Sequence, residues 1–162
     1  MQTDNLISLK DYFGGEASGF TPWLAKHEQV IRDIVEVEVE LYKREAKVDS
    51  YYIDLMFRNG KDVYVVENQY GESNHDHLGK CVVYSSLVNA KKTVWIAEGF
   101  SNEYQKIFNS LNIDLILCSV CMEKINEDYV QMKCYIFSKK GMRQIIYKLD
   151  KDKNIVSKVK CS

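Results

Sequence analysis

Three features of the sequence predict an α/β fold with a central mixed sheet flanked by helices. The first is the stretch Tyr51–Gln69. Its two runs, Tyr51–Arg58 and Val63–Gln69, are rich in β-branched and aromatic residues and are separated by Asn59-Gly60, the strongest short-range hairpin signal. The second is TVWIA at 93–97, a short unbroken apolar run of the kind found in strands buried on both faces. The third is helical spacing of apolar residues in FTPWLAKHEQVIRDIV and again after Asn74, so that helices alternate with strands. The order that results is α-β-β-β-α-β-α-β-β.

Residues 1–19 hold one apolar run, Leu6–Phe13, before the Gly14-Gly15 break; they read as a short strand or helix laid against the domain. In the helix that follows, Thr21 is a candidate N-cap and Pro22 stands at the first helical position. Leu24, Val30, Ile31, Ile34 and Val35 form its core stripe, with His27 inside that arc and Glu28 on its edge. His27 reads as a packed, hydrogen-bonded histidine. Glu28 reads either as a solvated boundary residue or as an acid reaching into a site that the helix covers. From 35 to 48, Val35, Val37, Val39 and Leu41 alternate with Glu36, Glu38 and Glu40, a strand with one wet face.

After the hairpin, Gly71–Asn74 make a turn and Asn74 caps a helix from His75 to about Asn89. His77, Lys80, Cys81, Tyr84 and Val88 share one side of it. His75 and His77 are separated by ~200° and make a poor chelate. Asp76 suits the first turn, where the helix dipole favours an acid. Gly79, unfavourable inside a helix, suggests a close backbone approach. Ser101 opens a helix with Tyr104, Ile107, Phe108 and Leu111 on one stripe. Ile113–Val120 and Tyr129–Phe137 are two further strands, followed from Gly141 by a short helix or an irregular basic tail.

With 162 residues, one proline, 46% apolar and 28% charged residues, the whole chain (1–162) reads as one compact, ordered domain. No apolar run approaches the ~18 residues of a membrane span, and MQTDNLISLK lacks the apolar segment of a signal peptide. The expectation is a cytoplasmic protein with no membrane partner. Five cysteines suit a reducing compartment. The single C-x-x-C, Cys118–Cys121, lies in a strand pattern that sends its thiols to opposite faces, which argues against a zinc site. The net charge of −1 divides unevenly: residues 139–162 carry +6 and the remainder −7. A basic end on an acidic body either tracks phosphates or is a solvated lysine-rich tail. Gly-rich phosphate loops and nucleophile-elbow motifs are absent from the sequence.

Asp54 and Glu67 interrupt the hairpin strands, where a carboxylate carries a desolvation cost. Any even-length loop places both on one face. A two-residue Asn59-Gly60 turn makes them diagonal neighbours, and a four-residue loop sets them directly opposite. Gln69 shares that face. Two carboxylates and an amide converging from a hairpin form a seat for a hard divalent cation.

The sequence resembles the PD-(D/E)XK nuclease superfamily, with its restriction-endonuclease-like core. The resemblance rests on the helix, three strands carrying D…E-x-Q, helix and strand. It rests more closely on the ordered blocks FTPWL, VVENQ, NHDHLGK and TVWIA, which resemble an uncharacterised prokaryotic branch over about residues 20–112. It implies a Mg²⁺-dependent (or Mn²⁺-dependent) endonuclease acting on DNA in restriction, defence or repair. Asp54 and Glu67 would hold the metal, Glu28 would match an additional first-helix acid, and Gln69 would stand where a lysine is usual. An amide there can orient the attacking water but brings no charge. Lys80, one turn into the next helix, is a candidate to supply that charge, and His77 on the same side a candidate for substrate contact or proton transfer. Cutting both strands would call for two sites, as in a homodimer. Two other readings stay open: a catalytically inactive nucleic-acid-binding or assembly module of the same fold, and a small interaction protein in which the acids are structural.

Overall fold

A computed structural model describes residues 5–108 and 110–161. The chain folds as a mixed α/β structure around one sheet. Strand β1 (Leu6–Ile7) leads into helix α1 (Leu9–Phe13) and a π-helical turn (Glu16–Phe20), then helices α2 (Thr21–Lys26) and α3 (Glu28–Val35). Strands β2 (Glu40–Val48), β3 (Tyr51–Asn59) and β4 (Asp62–Asn68) form a meander. Helix α4 (His75–Val88), strand β5 (Lys92–Ala97) and the short helix α5 (Asn102–Gln105) follow. Strands β6 (Leu115–Lys124), β7 (Val130–Ser138), β8 (Gly141–Leu149) and β9 (Ile155–Cys161) complete the chain. The spatial order is β2-β3-β4-β5-β6-β7-β8-β9, with β1 pairing with β6. Among the described strands β4–β5 and β5–β6 pair in parallel and the other pairs are antiparallel. The α-β-β-β-α-β-α-β-β order read from the sequence is present from α2 to β7.

Helices α1–α3 pack on one face of the sheet. Leu9, Phe20, Leu24, Ile31 and Ile34 join Leu55, Val66, Val94, Cys118, Cys134 and Tyr147 in the main core. Helix α4 covers the other face, over Met56 and Val65 through Tyr84, and over Trp95 and Leu117 through Cys81. β5 therefore has a helical layer on both sides, which is why TVWIA carries no polar alternation.

Several expectations are corrected in detail. The helix read from Thr21 to Val35 is broken at His27, whose backbone (φ −115°, ψ 60°) is not helical. His27 is half-buried, stacked on the Trp23 ring and bonded to the Trp23 carbonyl, not inside the core. Thr21 is no cap: it is buried within the first turn and accepts a hydrogen bond from the Asn68 amide at 3.0 Å. The strand alternation that began at Val35 starts at Glu40, because Glu36 closes α3 in a left-handed conformation (φ 58°). The helix after Ser101 is one turn long. Tyr104, Ile107, Phe108 and Leu111 still pack on Trp95 and Leu117, and Asn109 lies outside the described residues.

The hairpin turn is Gly60-Lys61, one residue later than Asn59-Gly60, with Gly60 at φ 58° and Asn59 paired to Asp62. A two-residue turn with a left-handed first position matches the twist of the strands it joins. The shift selects the direct-opposition register, Leu55 with Val66, and its continuation sets Asp54 across from Glu67.

The basic C-terminal stretch is neither helix nor tail. It forms β8 and β9, and most of its cations have partners. Arg143 binds Glu36 at 2.8 Å and the Ile34 carbonyl, Lys151 binds Asp128, and Lys158 and Lys160 both bind Asp33. Lys148 sits over the Tyr129 ring. Charge that reads as free in sequence is neutralised across the fold.

Gly79 is corrected as well. An added Cβ there would meet nothing within 4 Å, so no close approach requires the glycine. Gly79→Ala is expected to raise stability by about 0.5–1 kcal/mol through helix propensity alone, measured by urea unfolding at constant m-value.

Candidate active site

The register of β3 and β4 builds the centre of the site. Continuing the Leu55–Val66 register by one pair sets Asp54 across from Glu67, and each carboxyl influences the ionisation of the other. The Asn68 backbone N–H donates to Asp54 Oδ2 at 2.8 Å. Glu67 is 3% exposed, and its Oε2 is buried with no donor on it.

Both acids are hard to ionise. Burial, then the Asp54 charge, pushes Glu67 up to about 9; the Lys80 ammonium pulls the other way. Burial also raises Asp54 to about 6, against the Asn68 N–H that favours its charged form, and the Glu16 carboxylate adds to the rise. Two carboxyls in one dry site disfavour the doubly charged state, so burial and mutual repulsion act together on the pair.

Helix α4 brings the compensating charge. Asn74 Oδ1 accepts from the His77 backbone N–H at 3.0 Å and so fixes the helix start. Lys80, one turn on, places Nζ 4.0 Å from Glu67 Oε1 while remaining 47% exposed. His77 Nδ1 lies 3.0 Å from the same Asn74 oxygen. Burial first, then the Lys80 charge, lowers the His77 pKa, so the imidazole is neutral near pH 7. With Nδ1–H given to Asn74, Nε2 is left as an acceptor. His75 is bonded instead to the Tyr104 hydroxyl at 2.9 Å, so the two histidines do not converge.

Two of the expected site residues are placed elsewhere or otherwise employed. Glu28 does not join the pair: its Oε1 accepts from the Leu41 N–H at 2.6 Å and its Oε2 pairs with Arg32, fastening α3 to the start of β2. Gln69 is on the correct face but is 2% exposed. Its Oε1 accepts from Trp95 Nε1 at 2.7 Å and its Nε2 donates to the Glu72 carbonyl at 2.7 Å. An amide held at both ends ties β4 to β5 and to the turn after it.

Glu16 is the acid that sequence reading passed over. It opens the π-helical turn, accepts from the Tyr70 N–H at 2.8 Å, and its charge acts on Asp54, Glu67 and His77. Its only signal in sequence is its position four residues before FTPWL.

The donor set fits a hard cation. Mg²⁺ takes one or two carboxylates and keeps waters or phosphate oxygens in its remaining positions. Here are two facing carboxyls, one oxygen without a donor, and no third His, Cys, Asp or Glu closing the set among the described residues. A cleft of about 500 Å³ lies away from the pair, between α3 and β8–β9. Its cations Arg143 and Lys160 are already bound to Glu36 and Asp33, so it offers no free charge to an anion.

No protein-family model matches the sequence, and no curated protein does. Among solved structures the chain is similar to a repair endonuclease from Pyrococcus abyssi, at 12% identity and a TM-score of 0.45, over 63% of this chain and 46% of that one. It is also similar to Pyrococcus furiosus SfsA in complex with Ca²⁺, at 13% identity and a TM-score of 0.42, over 74% and 59%. The chain thus spans about half the length of the structures it matches. Identities this low transfer no residue roles, and the site stands on its own geometry. Among the described residues no helix is long and apolar enough to cross a membrane.

Proposed function

We propose that the chain is a metal-dependent nuclease that hydrolyses phosphodiester bonds in DNA. The observation that carries the reading is the Asp54–Glu67 carboxyl pair with the Lys80 ammonium 4.0 Å from Glu67. Burial of paired acids is destabilising by itself, and a structural role would be met as well by an apolar pair. Asp54 and Glu67 would hold Mg²⁺ or Mn²⁺, which when bound supplies a water of lowered pKa and neutralises charge on the phosphate. Lys80, half-exposed beside Glu67, would bring the charge that a glutamine at 69 lacks, pairing with the charge that develops on a phosphoryl oxygen. His77, one turn before Lys80 on α4, would offer Nε2 as a neutral acceptor for a proton or a substrate hydrogen bond.

One observation favours the second reading, an inactive DNA-binding or assembly module: the amide at 69 is spent on Trp95 and Glu72. One assay separates the two. Single-stranded, duplex and branched DNA are incubated with Mg²⁺, with Mn²⁺ and with EDTA, using Asp54→Ala as the control. Metal-dependent products that vanish in Asp54→Ala support the nuclease. Products that persist in that variant would defeat it, and DNA binding without cleavage would select the module. Lys80→Met is expected to slow cleavage by about 10- to 100-fold without lowering the melting temperature, because the lysine is half-exposed.

A further inference from the structure

We propose that the β2–β3 hairpin is a stacking platform for unpaired bases, holding a single strand of DNA beside Asp54. Among the described residues the exposed tyrosines are Tyr42, Tyr51 and Tyr52, at 44%, 46% and 59%, and all three lie on this one hairpin. Tyr51 and Tyr52, successive in β3, point to opposite faces, and Tyr52 with its cross-strand partner Lys47 forms the centre of the proposed platform. Tyr51 leans edge-on against Tyr84 of α4, ring centroids 5.9 Å apart. Tyr42 lies at the β-bulge between Leu41 and Lys43, with the Lys43 ammonium 5.2 Å and the Arg58 guanidinium 5.0 Å from its ring. Tyr52, the most exposed, stands directly across from Lys47 and two residues, about 7 Å of strand, from Asp54.

Arg58 of this hairpin is paired with Glu40 at 3.2 Å, but three other cations differ from those of the C-terminal strands. Lys43, Arg44 and Lys47 are exposed, and none belongs to a salt bridge among the described residues, whereas Arg143, Lys151, Lys158 and Lys160 all do. An edge strand gains protection against aggregation from lysines, and that accounts for the charges. It does not account for the bared rings, Tyr42 on the edge strand β2 and Tyr51 and Tyr52 on its neighbour β3. Rings interleaved with unpaired cations are what a nucleic-acid strand requires, bases on the rings and phosphates on the ammonium groups. A base in a duplex has both faces occupied by its neighbours, so the ligand class is a single strand or a frayed end.

The proposal takes its polymer from the nuclease reading, but binding alone tests it. The full chain in EDTA is titrated, by fluorescence anisotropy, against a labelled oligo(dT) of about 20 nucleotides, longer than the site of one such module, and against a blunt duplex of equal length. The single strand is expected to bind about tenfold tighter. Tyr52→Ala should weaken that binding by about tenfold and leave the duplex unchanged, while Tyr52→Trp keeps it. Lys47→Ala should lower the salt dependence by about one ion. Equal affinity for strand and duplex, or a Tyr52→Ala protein that binds the strand like wild type, overturns the platform. A protein that binds through Tyr52 but never cuts retains the platform and loses the nuclease. One that cuts with Tyr52→Ala unaffected in binding loses the platform alone.

Discussion

The Glu67→Gln protein is expected to lose metal-dependent cleavage by about a thousandfold or more, yet to melt at or above the wild-type temperature at alkaline pH. Glutamine reproduces the shape of the protonated acid but not the anionic oxygen that a hard cation needs. The sign of the stability effect follows from the raised pKa. Folding lifts Glu67 from 4.5 to about 9, so between those values the folded chain holds a proton that the unfolded chain has released. Wild-type stability therefore falls as pH rises through that window, and the glutamine variant lacks this slope. Thermal melts from about pH 5 to 9, beside single-turnover cleavage, read both effects. A variant that cuts at the wild-type rate, or one that melts far below wild type at high pH, contradicts a site kept at the cost of stability.

The largest loss of stability is expected at Asp33. This carboxylate is 8% exposed and accepts from the Tyr147 hydroxyl at 2.8 Å, from Lys158 Nζ at 3.0 and 3.1 Å, and from Lys160 Nζ at 3.1 Å. Burial works to raise its pKa, but the hydrogen bonds from Lys158, Tyr147 and Lys160 outweigh it, and the net shift is downward. Asp33→Ala strands a buried tyrosine hydroxyl and two lysines. The lysines are 36% and 57% exposed and can return to water, so the loss is about 2–3 kcal/mol rather than that of a fully buried pair. Because the folded pKa is depressed, the stabilisation is complete above the ordinary carboxylate range and disappears as pH falls through the lowered value. Urea unfolding of wild type and Asp33→Asn should accordingly converge in acid and diverge near neutrality. Parallel curves at all pH values would mean that the aspartate charge contributes nothing.

Local signals carried the centre of the molecule into view. The β3–β4 hairpin, the Asn74 cap, the buried β5 and the Asp54–Glu67–Lys80 grouping all depend on contacts within a few dozen residues, where periodicity and turn chemistry are informative. The turn itself moved by one residue because Gly60 takes the left-handed position at the start of the turn, and this fixed the register that pattern alone left open. Long-range contacts decided what pattern could not. Glu28 is claimed by Leu41 and Arg32, and Gln69 by Trp95 across the parallel β4–β5 pair. Glu16 sits in a π-helical turn with no hydrophobic periodicity to advertise it. The alternating residues of β8 and β9 were hidden because their lysines read as a solvated tail, whereas Tyr147 and Asp33 draw them into the sheet.

The Asp33 contacts also set the order in which the molecule can close. Lys158 is 125 residues from Asp33, while the Asp54–Glu67 pair spans a single hairpin. During synthesis the hairpin can pair as soon as it leaves the ribosome, but the Asp33 carboxylate of α3 waits for Tyr147 of β8 and then for the lysines of β9. The acids that would do the chemistry belong to the fast, local part of folding. The stability that keeps them in place is completed only by the last strand of the sheet.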